Sequence, residues 1–192
     1  MVMAEKPLSP DVRDRSLFGL MVFLLSDSVV FLSLFVILIA FRFQNQVWLP
    51  SGIVRLEVRD PAINTFVLVA SSGAIMLAEN SLKRNHPWRF RFFWVLAITM
   101  GAAFLVGQYL EWMRVGFNIH SGLFGATFFL LTGFHGLHVF TGLLLLITVL
   151  ARSFLVADYS GVSFGVSGAG LFWHFVDGIW IVLFTLLYLW SP

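Results

Sequence analysis

The chain has 192 residues, of which 59% are hydrophobic and 11% charged, and its mean hydropathy is +0.90. Soluble domains run at about 45–50% apolar and about 25% charged, so a soluble globular domain and a disordered tail are both excluded. A net charge of +2 makes no electrostatic case for nucleic acid, and the absence of cysteine removes disulfides, iron–sulfur clusters and thiolate zinc sites.

A membrane crossing needs about 20 mostly apolar residues, and five stretches meet that length. The first is Leu17–Phe41, interrupted by Ser26, Asp27 and Ser28. It is too long and starts too late for a cleaved signal peptide, and no small-residue cleavage site follows it. The polar flank Met1–Ser16 is expected in water or along the membrane surface. The second stretch is Ala62–Leu82, with Glu79 near its end. The third is Phe90–Trp112, ending in Gln108 and Glu111. The fourth, Leu123–Ala151, contains His135 and His138, and the fifth, Gly168–Trp190, contains His174 and Asp177. The spacing predicts an all-α membrane protein: a polar segment over 1–16, then a single five-helix transmembrane domain over 17–192. Neither a solenoid-type repeat nor the inverted repeat of a transporter is evident.

Five spans place the N-terminus and the second and fourth loops on one side. That side holds eight basic residues, Lys6, Arg13, Arg15, Lys83, Arg84, Arg89, Arg91 and Arg152; the other holds four, Arg42, Arg55, Arg59 and Arg114. The positive-inside rule therefore predicts a cytoplasmic N-terminus, with Pro192 on the outer, periplasmic or lumenal side. Trp48, Trp88, Trp112 and Trp190 fall near span ends, where an interfacial aromatic belt is expected.

A charge at a helix centre costs about 2.5–3.5 kcal/mol on insertion scales, so Asp27 and Asp177 must be neutralised, paired or hydrated. His135 and His138 share a helix face, as do His174 and Asp177, and as do Gln108, Glu111 and Arg114. Two readings fit the histidines: a metal held by three imidazoles and a carboxylate, or a hydrogen-bonded polar seam between the fourth and fifth helices. Asp27 fits either a proton-relay carboxyl or a structural residue bonded to a Ser or His across an interface. Glu111 with Arg114 reads as an interfacial ion pair or a contact to a neighbour rather than chemistry, and Glu79 with Lys83 as a surface pair. Small residues four apart, Ala70/Ala74, Ala103/Gly107 and Thr132/Gly136, allow close helix contact. No P-loop, nucleotide fingerprint or Ser-His-Asp order occurs. Composition and spacing alone give a bundle with an acid–histidine interior and do not specify its activity.

Particular strings narrow this. Ser121–Val139, with Gly133-Phe134-His135-Gly136-Leu137-His138-Val139 inside it, resembles subunit III of haem-copper terminal oxidases. So does Leu171–Trp180, with Trp173-His174-Phe175-Val176-Asp177. Leu56–Thr65 is similar to the family's lead-in to the second span, Leu25–Phe31 to its acidic helix motif, and Gln108–Trp112 to its Gln/Glu segment. The likeness runs from Leu17 to Trp190.

The resemblance implies a non-redox accessory subunit of a bacterial proton-pumping oxygen reductase, with no catalytic, cofactor-binding or metal-binding residues of its own. Haem and copper belong to partner subunits. The implied partners are subunit I as the main contact, subunit II, a small subunit IV, bound phospholipid, and cytochrome c or quinol as electron donor to the complex. The implied roles are stability of the active site, lipid binding and support of proton uptake. The lead-in string and the Gly-Phe-His variant favour an aa3-type cytochrome c oxidase. Asp27 occupies the family's intramembrane carboxylate position. His135, His138, His174 and Asp177 occupy its buried polar seam, and Glu111, beside Gln108, its third-helix acid. Two departures stand out. Seven-helix members usually have Glu where this chain has Asp27, and they have two further helices walling a lipid cleft, so no lipid-contacting residue is carried over. The five-helix form is the bacterial one, which implies the cytoplasmic (inner) membrane, or the thylakoid in a cyanobacterium. The competing readings are a quinol oxidase subunit III, a subunit III-like component of nitric oxide reductase, and a stand-alone proton channel or transporter using Asp27 and Asp177.

Overall fold

The structure is a computed structural model that describes residues 10–44, 49, 56–155 and 160–190, with side chains from 15 in the first helix and from 165 in the last. Lys6, Trp48, Arg55 and Pro192, together with the first nine residues of the polar N-terminal segment, lie outside the described residues. The described chain forms α1 (Pro10–Gln44), α2 (Arg59–Lys83), α3 (Pro87–Arg114), α4 (Gly122–Leu155) and α5 (Ser160–Phe184), the last continued by a π-helical turn over Thr185–Leu189. All five are long and apolar enough to cross a membrane. The helices overrun the expected spans at their polar ends: α1 starts at Pro10, α4 continues to Leu155 and α5 opens at Ser160. Hydropathy marks only the part that suits hydrocarbon, whereas internal hydrogen bonding carries a helix on past that limit.

Four helices close a ring. α2 packs on α3, α3 on α4, α4 on α5, and α5 returns to α2. Trp94, Phe104, Phe128, Trp173 and Trp180 fill its interior and are fully buried. A buried indole N–H has no water to turn to in hydrocarbon, so it must reach a neighbouring helix. Trp94 donates to the Leu146 carbonyl at 2.8 Å and Trp112 to Thr132 Oγ1 at 3.2 Å, joining α3 to α4. Trp173 donates to Ser71 Oγ and Trp180 to Thr65 Oγ1, both at 2.9 Å, joining α5 to α2. Trp112, expected in the interfacial belt, is thus half-buried and bonded inward, whereas Trp88 is 78% exposed.

Glycines set the closest approaches. Trp173 lies between Gly101 of α3 and Gly142 of α4. A Cβ on Gly142 would stand 2.8 Å from Trp173 Cε3, and one on Gly101 would run into the outer edge of the same ring. Of the small-residue pairs read from the sequence, Gly107 receives the Asn64 side chain, but Gly136 faces open space.

α1 lies outside the ring, against α4 and α5. Its buried apolar residues are Leu24, Phe31, Phe35 and Leu38, a seam of seven-, four- and three-residue steps that matches a narrow heptad stripe. The rest of its circumference is apolar and exposed, including Phe18, Leu25, Leu32 and Val36, as a hydrocarbon-facing or subunit-facing surface requires.

Candidate functional site

Asp27 lies between Leu24 and Phe31 of α1's buried seam, opposite His138 of α4. Oδ2 of Asp27 lies 3.2 Å from Nε2 of His138, outside hydrogen-bond angles, and each side chain is 12% exposed. Nδ1 of His138 is 2.8 Å from the Phe134 carbonyl. A carbonyl can only accept, so Nδ1 carries a proton and Nε2 is the atom turned to the acid. One proton between Nε2 and Oδ2 makes the pair complementary, either as acid facing imidazole or as carboxylate facing imidazolium. Phe31 and Phe134 close over the imidazole, with ring centroids 5.1 and 4.7 Å away. These apolar walls strengthen any polar contact they enclose.

His174 and Asp177 meet on the α5 face that packs on α2, and they meet through Ser72. Ser72 Oγ lies 2.8 Å from His174 Nδ1 and donates to Asp177 Oδ2 in a short contact. The hydroxyl has one proton, so while it donates to the acid it accepts from His174 Nδ1–H. The other oxygen, Asp177 Oδ1, is buried without a partner among the described residues.

Glu111 and Gln108 meet at the far end of α3. Gln108 Nε2 donates to Glu111 Oε2 at 3.4 Å, and Tyr188 OH donates to Glu111 Oε1 at 2.6 Å. Tyr188 lies in the π-helical turn, where the Trp190 N–H reaches back five residues to the Thr185 carbonyl at 2.8 Å. Widening that last turn changes the direction in which its side chains project. A cleft of about 730 Å³ opens beside Glu111 between α2 and α3, bordered by Asp60, Asn64, Arg114 and Phe117.

Two expected ion pairs are corrected. Arg114 pairs with Asp60 at 2.8 Å rather than with Glu111, because the start of α2 lies beside the end of α3 and Glu111 is turned inward to Tyr188. Glu79 makes no ion pair with Lys83. Its Oε1 lies where a Cβ on Gly170 would come within 2.5 Å, so the side chain is directed at α5.

His135 is fully buried, with neither ring nitrogen bonded to a described residue. It lies against Trp180 with ring centroids 4.8 Å apart, and edge-on to Phe104. The interior polar residues singled out from the sequence therefore occupy four places: Asp27–His138 between α1 and α4, His174–Ser72–Asp177 between α5 and α2, Gln108–Glu111–Tyr188 between α3 and the end of α5, and His135 alone. Among the described residues no hydrogen bond joins one place to another. Sequence reasoning missed Ser72 and Tyr188. The adjacent hydroxyls Ser71 and Ser72 inside an apolar span were a signal for the first, and nothing marked the second. Among the described residues no three His, Asp or Glu side chains gather as a metal site would need.

A bundle of five spans whose buried acids and imidazoles are dispersed rather than gathered is a multi-pass membrane protein. A family model described as cytochrome c oxidase subunit III matches residues 8–192. The chain is 40% identical over 181 residues to cytochrome c oxidase subunit 3 of Synechocystis sp., covering 94% of this chain and 76% of that relative. It is equally identical over the same length to the subunit 3 of Thermostichus vulcanus, covering 94% and 88%, and 35% identical over 195 residues to that of Mus musculus, covering 95% and 72%. The chain belongs to the cytochrome c oxidase subunit III family, and so is an accessory subunit of a haem-copper oxidase that works in complex with other oxidase subunits.

Proposed function

We propose that this chain is the non-redox subunit III of a bacterial, proton-pumping, aa3-type cytochrome c oxidase. It packs mainly on subunit I, with subunit II and a small subunit IV in the same complex, and it supports stability, phospholipid binding and proton uptake. The observation that carries this is the match of subunit III over residues 8–192 to a bundle whose buried polar groups mostly serve helix-to-helix contacts. The two relatives from Synechocystis and Thermostichus are cytochrome c oxidase subunits, which supports the cytochrome c donor over quinol and a bacterial inner or thylakoid membrane. The eight-to-four excess of Lys and Arg supports a cytoplasmic N-terminus. Asp27 is the intramembrane carboxylate of this reading, and His135, His138, His174, Asp177, Gln108 and Glu111 are its interior polar residues. Haem and copper reside in the partner subunits.

The test is mild detergent purification through a tag on this chain, followed by a reduced-minus-oxidised spectrum of what accompanies it. The expected result is a haem a spectrum that shifts with carbon monoxide, and oxygen uptake driven by reduced cytochrome c. Uptake driven by quinol alone would move the chain to a quinol oxidase. A haem-free, lipid-bearing protein would overturn the proposal in favour of a stand-alone membrane protein.

A further inference from the structure

The lead-in to α2 and the exit from α3 frame the cleft beside Glu111. α3 stops at Arg114, where Val115 turns extended at ψ 128°, and the chain leaves through Gly116 to Phe117. Phe117 is held by Phe124 and Phe128, at ring centroids 5.4 and 5.2 Å. Leu56, just before α2, is buried as well, so both ends of the frame are anchored. Ile63 and Val67 of α2 and Leu110 of α3 supply an apolar wall. The polar lining is dominated by acceptors. Glu57, Asp60 and Glu111 line the cleft, and Arg114, the basic residue among the lining, is engaged by Asp60 at 2.8 Å. Asn64, whose Nδ2 donates to the Phe104 carbonyl at 3.0 Å, keeps Oδ1 as an acceptor. Glu111 already accepts from Tyr188 and Gln108, but the two oxygens of a carboxylate offer about four lone-pair positions.

At about 730 Å³ the cleft falls in the range that encloses a small organic ligand, about 300–1,000 Å³. Three acids against one arginine make its lining negative. We propose that this cleft binds an amphiphilic amine, a primary ammonium carried on a short hydrocarbon chain, with the nitrogen against Glu111 and Asn64 and the hydrocarbon between Ile63, Val67 and Leu110. An ammonium brings three donors and no acceptor, which is the complement of that lining, and its hydrocarbon covers the wall. A ligand bearing a phosphate would set it against Glu57 and Asp60, with Arg114 already taken. A bare metal ion would leave the wall uncovered, and no three carboxyl or imidazole groups among the described residues gather to hold one. The site rests on this chain's own side chains and not on its place in an oxidase, so it and the proposed function fail separately.

The probe is an alkylamine with a diazirine in the middle of its chain, compared with its N-acetyl derivative, in nanodiscs holding the full chain with whatever subunits accompany it. After irradiation the attachment points are mapped by peptide mass spectrometry. The amine is expected to label the peptides carrying Ile63, Val67 and Leu110, to saturate at a single site per chain, and to be displaced by excess unlabelled amine. The acetyl derivative, which keeps the hydrocarbon and loses the charge, should label them about tenfold less. Glu111→Gln should weaken labelling by a similar factor. Ile63→Trp fills the cleft from its exposed wall, leaves the bonds of Glu111 in place, and should block labelling even if Glu111→Gln fails to fold. Equal labelling by the amine and its acetyl derivative would overturn the proposal without any variant. So would labelling that survives Ile63→Trp, or a cleft that no amine reaches because a lysine of a partner subunit already fills it.

Discussion

At Asp27 and His138, what a substitution leaves behind matters more than what it removes. Nδ1 of His138 is tied to the Phe134 carbonyl, so Nε2 is the nitrogen turned to whatever stands at residue 27. Asp27→Asn supplies an amide N–H to that nitrogen and should be mild. Asp27→Leu leaves Nε2 alone between Phe31 and Phe134, and His138→Leu leaves the Asp27 carboxyl without its imidazole. A pairwise hydrogen bond in a membrane is worth about 0.6 kcal/mol, whereas an orphaned buried group costs about 1–3 kcal/mol. The expected order of stability, read by thermal denaturation of the detergent-solubilised protein, is native, then Asp27→Asn, then the two leucine variants. Equal losses for Asp27→Asn and Asp27→Leu would mean that this contact does not hold α1. At this scale the sequence was half legible. Asp27, Glu111, His138, His174 and Asp177 were conspicuous because a titratable group in an apolar span is an anomaly. Their partners were less so: the Ser71-Ser72 pair gave only a weak signal and Tyr188 none, since the pairing of a hydroxyl depends on the register of two helices distant in sequence.

At the scale of helices, Trp173 decides how closely α5 approaches α3 and α4. Gly142→Ala would set a methyl 2.8 Å from the indole, and overpacking of a well-filled core costs about 1–3 kcal/mol. The better helix propensity of Ala returns up to about 1 kcal/mol of that. Gly136→Ala, one and a half turns away on the same helix, meets nothing within 4 Å and should be neutral or slightly stabilising. The comparison is made by denaturation of the two single variants, with Trp173→Phe added to Gly142→Ala. The smaller ring should recover part of the loss, although it forfeits the bond to Ser71. Comparable effects at Gly136 and Gly142 would show that glycine matters here for backbone reasons and not for the ring. Periodicity exposed small residues four apart but could not say which of them would meet a ring. Thr132/Gly136 and Ala103/Gly107 look alike as pairs, yet Gly107 is filled by Asn64 and Gly136 is open.

For the whole molecule, five spans follow from hydropathy alone, because a backbone in hydrocarbon has little alternative to a helix. The ring order and the outer position of α1 do not follow, since every helix here is apolar on most of its surface and lipid contact hides no side. Orientation rests on basic residues, and the chain offers a clean way to test it because it has no cysteine. Lys83→Cys, at the end of α2, and His120→Cys, between α3 and α4, are both exposed and lie at opposite ends of the bundle. In intact spheroplasts an impermeant maleimide should label His120→Cys and spare Lys83→Cys, and in inside-out vesicles the pattern should reverse. The inverted result would overturn the orientation read from the eight-to-four distribution of charge. It would also put Glu111, Tyr188 and the cleft beside them on the cytoplasmic side, at the end where a subunit supporting proton uptake needs its acids. Under the proposed orientation that end faces outward, so a cytoplasmic contribution to proton uptake would have to come from the opposite ends of the helices, where α2 carries Glu79.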